Sequence, residues 1–409
     1  MKIAEYAAFD ALGLAELVSR KEVSARELTE TAVAAIEAAN PVIRAVVELY
    51  PDRIEALEES TLGSGPFRGV PFLIKDVFGH EKGRKIEFGS RLCEGMTVET
   101  GTAFLDLLKA SGVNIIGRSA APEYSMAATT ESVMFGNTSN PWRQGYSAGG
   151  STGGGQAAVT SGMVPIAHGS DIGGSIRIPA SLCGGVGFKP SRGRVSLAPV
   201  MDEGGFGYSM NFVQTKTVRD AAAMLDCVAV PQPGDPFVIP RPAEPYAVLA
   251  RRRPRNLRIG IVLDEIVGVK VDPEVARAVE DAGKVLAAMG HHVDRASLDM
   301  GDPALLDTTT DLFFFAFDVR LESYAQRSGK KIGPDTLEPV TLSLYEYAKS
   351  ITPRRFMTAW AEANVARRRF GSFFTRYDVW LSPATSRVAE PWGLYNLSRP
   401  DVGAHNVAE

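Results

Sequence analysis

The chain has 409 residues, 45% of them hydrophobic and 22% charged, a globular composition that excludes a disordered or fibrous protein. With 44 Lys and Arg against 48 Asp and Glu, the formal net charge of -4 argues against nucleic acid or an anionic membrane held by bulk charge. Cys93, Cys183 and Cys227 are too few and too far apart for a disulfide framework or a zinc knuckle, and there is no HExxH, so reduced thiols, a cytoplasmic location and no metal or cofactor are expected.

Near the N-terminus Glu5, Asp10 and Glu16 break any signal-peptide core. No apolar run approaches the roughly 20 residues of a membrane span. Residues 1–60 are expected to be helical. Ser24 and Glu27 form an S-x-x-E capping box, followed by Leu28, Ala32, Ala35 and Ala39 on one face, with Pro41 as the stop. Residues 69–74 are a short apolar strand delivering Lys75 and Asp76 at its end. A helix at 101–111 ends at Gly112, and a strand at 113–116 follows. This alternation implies an α/β fold with a mixed, largely parallel central sheet and helices on both faces.

Residues 61–228 are read as the catalytic core of one large domain spanning 1–409. The Pro- and Arg-rich stretch 229–256 reads as a surface connection, its Arg run solvated. Residues 257–409 form a C-terminal α/β part. In it, 257–262 is a strand and Asp272-Pro273 starts a helix with Val275, Val279, Ala282, Leu286 and Met289 on one side. His292-Val293 is extended again, which implies either a return to the main sheet or a small subdomain. Residues 303–376 are expected to be helical, and 377–381 form a last strand. The aromatic run Phe313-Phe314-Phe315-Ala316-Phe317 either lines an apolar pocket or packs in the core, core packing being the commoner use of such a run.

The chemistry gathers in two Gly- and Ser-rich segments. One is Ser147-Ala148-Gly149-Gly150-Ser151-Thr152-Gly153-Gly154-Gly155. The other is Gly169-Ser170-Asp171-Ile172-Gly173-Gly174-Ser175-Ile176-Arg177-Ile178-Pro179. Glycine loses the most backbone entropy on folding, so such runs need a reason, and the usual one is close approach of backbone N–H groups to a ligand or an oxyanion. A phosphate loop would need a Lys that the first run lacks. Gly149-Gly150-Ser151-Thr152-Gly153 fits the G-x-S-x-G nucleophile elbow, which would call on His291, His292 or His405 in a Ser-His-Asp site. A reading without His uses Lys75 as base, kept neutral by burial.

Six motifs in order make the chain similar to the amidase signature family. Gly69-Val70-Pro71-Phe72-Leu73-Ile74-Lys75-Asp76 resembles its G-[IV]-P-x-x-[IV]-K-D. Gly117-Arg118-Ser119-Ala120-Ala121-Pro122-Glu123 resembles G-K-T-N-x-P-E with Lys, Thr and Asn replaced, and Gly136 with Asn140-Pro141-Trp142 resembles G-x-x-x-N-P-W. Residues 149–154 resemble G-G-S-S-G-G with Thr152 for the second Ser, residues 171–179 resemble D-x-G-G-S-[IV]-R-x-P, and Gly187-Phe188-Lys189-Pro190-Ser191 resembles G-[FL]-K-P-[ST].

The resemblance implies a Ser–cis-Ser–Lys triad, with Ser175 as nucleophile, Ser151 as bridging serine after a cis Gly150–Ser151 peptide, and Lys75 as base. It implies an oxyanion hole from the amides of Ile172, Gly173, Gly174 and Ser175. Asp171, Arg177, Gly150 and Thr152 fall in supporting positions, and Ser125 falls where relatives contact substrate. Within the family, His168-Gly169-Ser170-Asp171, residues 177–181 and Pro233-Gly234-Asp235 resemble the branch of cyclic-dimer hydrolases acting on 6-aminohexanoate, with aryl amidases and urethanases nearby. The expected reaction is hydrolysis of a small uncharged amide, anilide or carbamate by a monomer or homodimer. The alternatives are the amide-hydrolysing subunit of a tRNA-dependent amidotransferase, an inactive scaffold, or a Ser-His-Asp hydrolase. Relative to the family pattern, the C-terminal part is expected to be shortened or rewritten.

Overall fold

A computed structural model describes residues 1–79, 81–201, 203–254, 256–263, 269–298 and 305–399. Its main sheet has six strands: β1 (Val46–Leu49), β2 (Pro71–Lys75), β3 (Asn114–Ser119), β4 (Ile166–Asp171), β5 (Val186–Gly187) and β6 (Met210–Thr215). They lie in the order β1-β3-β2-β4-β6-β5. At the centre β2 runs parallel to both β3 and β4, while the flanking pairs β1–β3, β4–β6 and β6–β5 are antiparallel. Every residue of β2, β3, β4 and β6 is buried. Such strands are covered on both faces, which is why 69–74 reads as an unbroken apolar run rather than an alternating one.

Helices flank this sheet, among them α1 (Ala25–Ile43), α2 (Ala103–Ala110), α3 (Gly153–Thr160) and α4 (Arg177–Cys183). The buried α3 begins with three glycines because it packs directly onto backbone. A Cβ on Gly154 would sit 2.5 Å from the Ala120 carbonyl oxygen, so no larger residue fits there.

The N-terminal region departs from its sequence reading in three ways. Ser24 Oγ accepts from the Glu27 N–H at 3.0 Å, but the Glu27 carboxylate pairs with the chain's N-terminal amine instead of closing the box. Pro41 does not stop α1, which runs on to Ile43. Pro41 removes a single helical N–H on an exposed last turn, and Arg44 in the left-handed region ends the helix. The Asn40 side chain then accepts from the N–H groups of Ala45 and Val46, each at 2.8 Å. This turns the chain into β1, a strand within the stretch expected to be helical. Four residues are too few for an alternation to show.

The C-terminal β-α-β unit does not rejoin the main sheet. Strands β7 (Arg258–Ile261), β8 (His292–Arg295) and β9 (Val379–Leu381) form a separate parallel sheet in the order β8-β7-β9. Helix α5 (Pro273–Ala288) links β7 to β8, capped by Asp272, whose carboxylate accepts from Glu274 N at 2.8 Å. Four helices follow: α6 (Leu305–Phe314), α7 (Phe317–Ser328), α8 (Pro339–Ser350) and α9 (Pro353–Arg376). The chain breaks direction at Ala316, φ 61°, which splits the aromatic run. Phe317 enters the core, Phe315 stacks on Phe356 at 4.2 Å between centroids, and Phe313 and Phe314 end α6. Among the described residues, no helix is long and apolar enough to cross a membrane.

Helix α8 is tied to the segment that carries Ser125. The N-cap residue Glu338 donates its N–H to Glu123 Oε2 at 2.9 Å and accepts from Val133 N–H at 3.0 Å. Burial, with the nearby charges of Glu123 and Glu131, pushes the Glu338 carboxyl up to about 8. An unfolded Glu titrates near 4.3, so between there and about 8 the folded chain holds the extra proton. Stability therefore falls as pH rises through that window. In thermal melts Glu338→Gln, which mimics the protonated acid, is expected to match the parent near pH 5 and to melt several degrees above it at pH 8.

Candidate active site

The site lies at the carboxyl ends of β2 and β4, where the sheet passes from parallel to antiparallel pairing. Lys75, the last residue of β2, is completely buried. Its Nζ lies 2.7 Å from Ser151 Oγ, 3.0 Å from Thr152 Oγ1 and 3.0 Å from Ser170 Oγ. Ser170 comes from β4, and the other two hydroxyls come from the turn that enters α3.

Among the described residues, Lys75 forms no ion pair. The neighbouring Asp76 is engaged elsewhere, accepting the N–H groups of Glu87 and Gly89 at 2.8 Å each and pairing with the buried Arg118. Arg118 also pairs with Glu87 and Glu48. Burial without a carboxylate partner pushes the Lys75 amine down to about 7, against the weaker pull of Asp171 and Asp76. A neutral amine has two N–H donors and one lone pair. The Thr152 hydroxyl donates to the Ser170 carbonyl at 3.3 Å, so it can only accept from Nζ. In the neutral form, with its two N–H groups on Thr152 and Ser170, the lone pair is left for the Ser151 hydroxyl. The arrangement can therefore take a proton from Ser151.

The Ser151 turn is fixed from behind. The Gly150–Ser151 peptide is cis. Gly150 packs onto backbone, and a Cβ there would lie 2.4 Å from the Thr129 carbonyl oxygen. Thr130 Oγ1 donates to the Gly149 carbonyl at 2.9 Å and accepts from Gly153 N–H at 3.0 Å.

Ser175 sits in the turn between β4 and α4, half-buried, with its carbonyl accepting from Thr152 N–H at 3.1 Å. Among the described residues its hydroxyl makes no hydrogen bond to Ser151. It lines a cavity of about 280 Å³ instead. Asp171, fully buried, holds this turn together. It accepts from Gly174 N–H at 2.9 Å, Ile176 N–H at 3.1 Å, and Arg177 Nε and Nη2 at 2.9 and 2.8 Å. Burial pushes its carboxyl up, but the Arg177 hydrogen bonds and charge prevail and keep it below the usual carboxylate range.

The Gly174 amide, expected in the oxyanion hole, has φ 137° and donates to Asp171 Oδ1 at 2.9 Å in this structure. The N–H groups of Ile172, Gly173 and Ser175 carry no hydrogen bond among the described residues.

Ser125, Met126, Ile178, Thr310, Phe313 and Phe314 supply much of the cavity wall, and among the described residues no charged side chain lines it. Phe313 and Phe314 thus act as wall while Phe317 packs in the core, so each reading of the aromatic run holds for part of it. Tyr124 and Ser125 both have positive φ, 48° and 62°, in a tight turn whose N–H groups reach Phe88 and Pro122 carbonyls at 2.8 and 2.9 Å. Strained backbone of this kind clusters at functional sites. The Ser125 hydroxyl is buried without a hydrogen-bond partner among the described residues.

The late histidines are occupied elsewhere. His291 accepts Leu257 N–H at 3.1 Å, and His292 meets Asp294 at 2.8 Å on the exposed edge strand β8. His405 lies outside the described residues. Three residues near Lys75 escaped the sequence reading of the site: Ser170, Arg118 and His168, whose Nδ1 accepts Lys75 N–H at 3.2 Å. Ser170 and His168 are two apart on β4 and so share a face, a signal hidden because β4 is buried throughout. Arg118 stands where the motif has Lys.

Comparison with known proteins gives a consistent result. The profile of the Amidase family matches residues 27–398. The 6-aminohexanoate-cyclic-dimer hydrolase of Paenarthrobacter ureafaciens is 37% identical over 401 residues, covering 95% of this chain and 80% of the relative. A component of the glutamyl-tRNA(Gln) amidotransferase of Synechococcus is 31% identical over 405 residues, covering 91% and 82%. Among solved structures, 6-aminohexanoate cyclic dimer hydrolase complexed with substrate superposes with a TM-score of 0.90 at 32% identity, covering 98% of this chain and 86% of that one. A bacterial aryl acylamidase superposes with a TM-score of 0.86 at 26% identity, covering 94% and 81%.

Proposed function

Since this chain belongs to the amidase signature family and is a hydrolase of amide C–N bonds, we propose that it does so through an acyl-enzyme on Ser175, with Ser151 as proton relay and Lys75 as base. The observation that carries this reading is the completely buried Lys75 amine, unpaired with any described carboxylate and 2.7 Å from the Ser151 hydroxyl.

The Ser175 hydroxyl turns toward Ser151 when substrate fills the cavity, catalytic hydrogen bonds being commonly loose in the empty site. Lys75 takes the Ser151 proton, Ser151 takes that of Ser175, and Ser175 Oγ attacks the carbonyl carbon. The N–H groups of Ile172, Gly173 and Ser175 receive the oxyanion, each such donor being worth about 3–4 kcal/mol. The proton then returns through the relay to the leaving nitrogen, because an amide anion is too basic to depart unprotonated. Water cleaves the acyl-enzyme by the same route reversed.

The substrate is a small uncharged amide, anilide or carbamate. Among the described residues the mostly apolar cavity offers a charged group no counter-ion, and burying an unpaired charge is costly. The Ser125 hydroxyl, without a hydrogen-bond partner among the described residues, supplies a polar contact. The protein works alone, as monomer or homodimer, and its three free cysteines favour the reducing cytoplasm.

Purified protein tested on a short-chain acyl 4-nitroanilide, and separately on glutamine, checks this. Release of nitroaniline without any partner is expected. Ammonia release from glutamine only after a partner protein is added, with no anilide turnover, would favour an amidotransferase component.

A further inference from the structure

His168 lies next to the proposed base but outside the path of the proton. Strands β2 and β4 pair in parallel through Phe72–Ile166 and Leu73–Ala167, and there their ladder stops. On its opposite edge β4 is paired with β6 along its whole length, from Ile166–Thr215 to Asp171–Met210. On its other side β2 stays paired with β3 as far as Lys75–Ser119. The N–H of Lys75 therefore emerges where β4 no longer offers a backbone acceptor, in a fully buried position where an unmet N–H is costly. The His168 ring fills that place. Its Nδ1 accepts the Lys75 N–H at 3.2 Å, and its face packs against Phe104 with centroids 5.4 Å apart.

We propose that His168 is a positioning residue for the hydrolysis: its Nδ1 fixes the end of β2 where the strands separate, and so sets the Lys75 amine against the Ser151 hydroxyl. An N–H can donate to Nδ1 only if that nitrogen keeps its lone pair, so the ring proton sits on Nε2. The separation has a purpose, because Ser170, two residues along β4, must bring its hydroxyl to within 3.0 Å of Nζ from the same strand.

The inference rests on Lys75 being the base, and the test separates the two claims. His168→Leu, His168→Asn and His168→Gln are compared for kcat, KM and melting temperature, beside Lys75→Met. Asn places its amide oxygen at the level of Nδ1, whereas Gln places it one bond farther out. His168→Leu is expected to lower kcat by about 100-fold, the scale of a misplacement near 1 Å, with KM within about two-fold. His168→Asn is expected to recover most of kcat, and His168→Gln is not. Should the Leu variant fail to fold, the Asn and Gln pair, equally polar in the same core, still decides. Equal kcat for Asn and Gln, or an unchanged kcat for Leu, overturns the proposal while Lys75→Met remains inactive. An active Lys75→Met would instead remove the base itself.

Discussion

Ser175→Ala is expected to lower kcat by about 10⁴- to 10⁶-fold while leaving KM nearly unchanged, the pattern for loss of a nucleophile whose binding surroundings survive. The prediction follows from the site's layout. The Ser175 hydroxyl stands half-exposed on the cavity wall, whereas its backbone is fixed independently of it. The Ser175 carbonyl receives Thr152 N–H, and the Asp171 carboxylate gathers the Gly174 and Ile176 amides and Arg177. Removing one oxygen therefore disturbs neither the turn nor the amides of Ile172, Gly173 and Ser175. Mass spectrometry of the parent protein with a slowly turned-over substrate should show the acyl mass on the peptide carrying Ser175, and Ser175→Ala should show none. An alanine variant retaining a tenth of the parent's activity would require another nucleophile.

Lys75→Met carries the second large effect, an expected loss of about 10³-fold or more in kcat, above the 10²–10⁴-fold range's lower end for a general base. Ser151→Ala is expected to fall less far, because water can stand in for a hydroxyl but nothing nearby replaces the amine. The pH dependence distinguishes the base from a structural lysine. With the amine pushed down to about 7 by burial, kcat/KM should rise as pH increases toward that value and level above it. Stability has its own sign. An unfolded Lys titrates near 10.4, so between about 7 and that value the unfolded chain binds more protons than the folded one. Stability should therefore rise with pH through that window, and Lys75→Met should lose this contribution.

Much of the site was legible in the sequence because its chemistry is local. The two glycine-framed serines stand in turns, and the strand before Lys75 is apolar without a break, so burial of that lysine could be read directly. The surroundings of Lys75 were less accessible. The usual partner for a lysine beside an aspartate is that aspartate, and only the fold shows that Arg118, from the neighbouring strand β3, occupies Asp76. The commitment of the Gly174 amide to Asp171 likewise depends on one backbone angle, which a Gly-Gly pair leaves open. In the fold, β1 was lost to a four-residue length and α1 ran through a proline on its exposed side. The aromatic run was divided by a single left-handed residue, Ala316, which no periodicity announces.

Acylation of Ser175 followed across pH by a burst measurement tests the central claim most directly. The account predicts a rate that climbs about tenfold per pH unit below a pKa of about 7, levels above it, and loses this dependence in Lys75→Met. A limb that persists unchanged in Lys75→Met would contradict it, since the titrating group would then be something other than the buried amine.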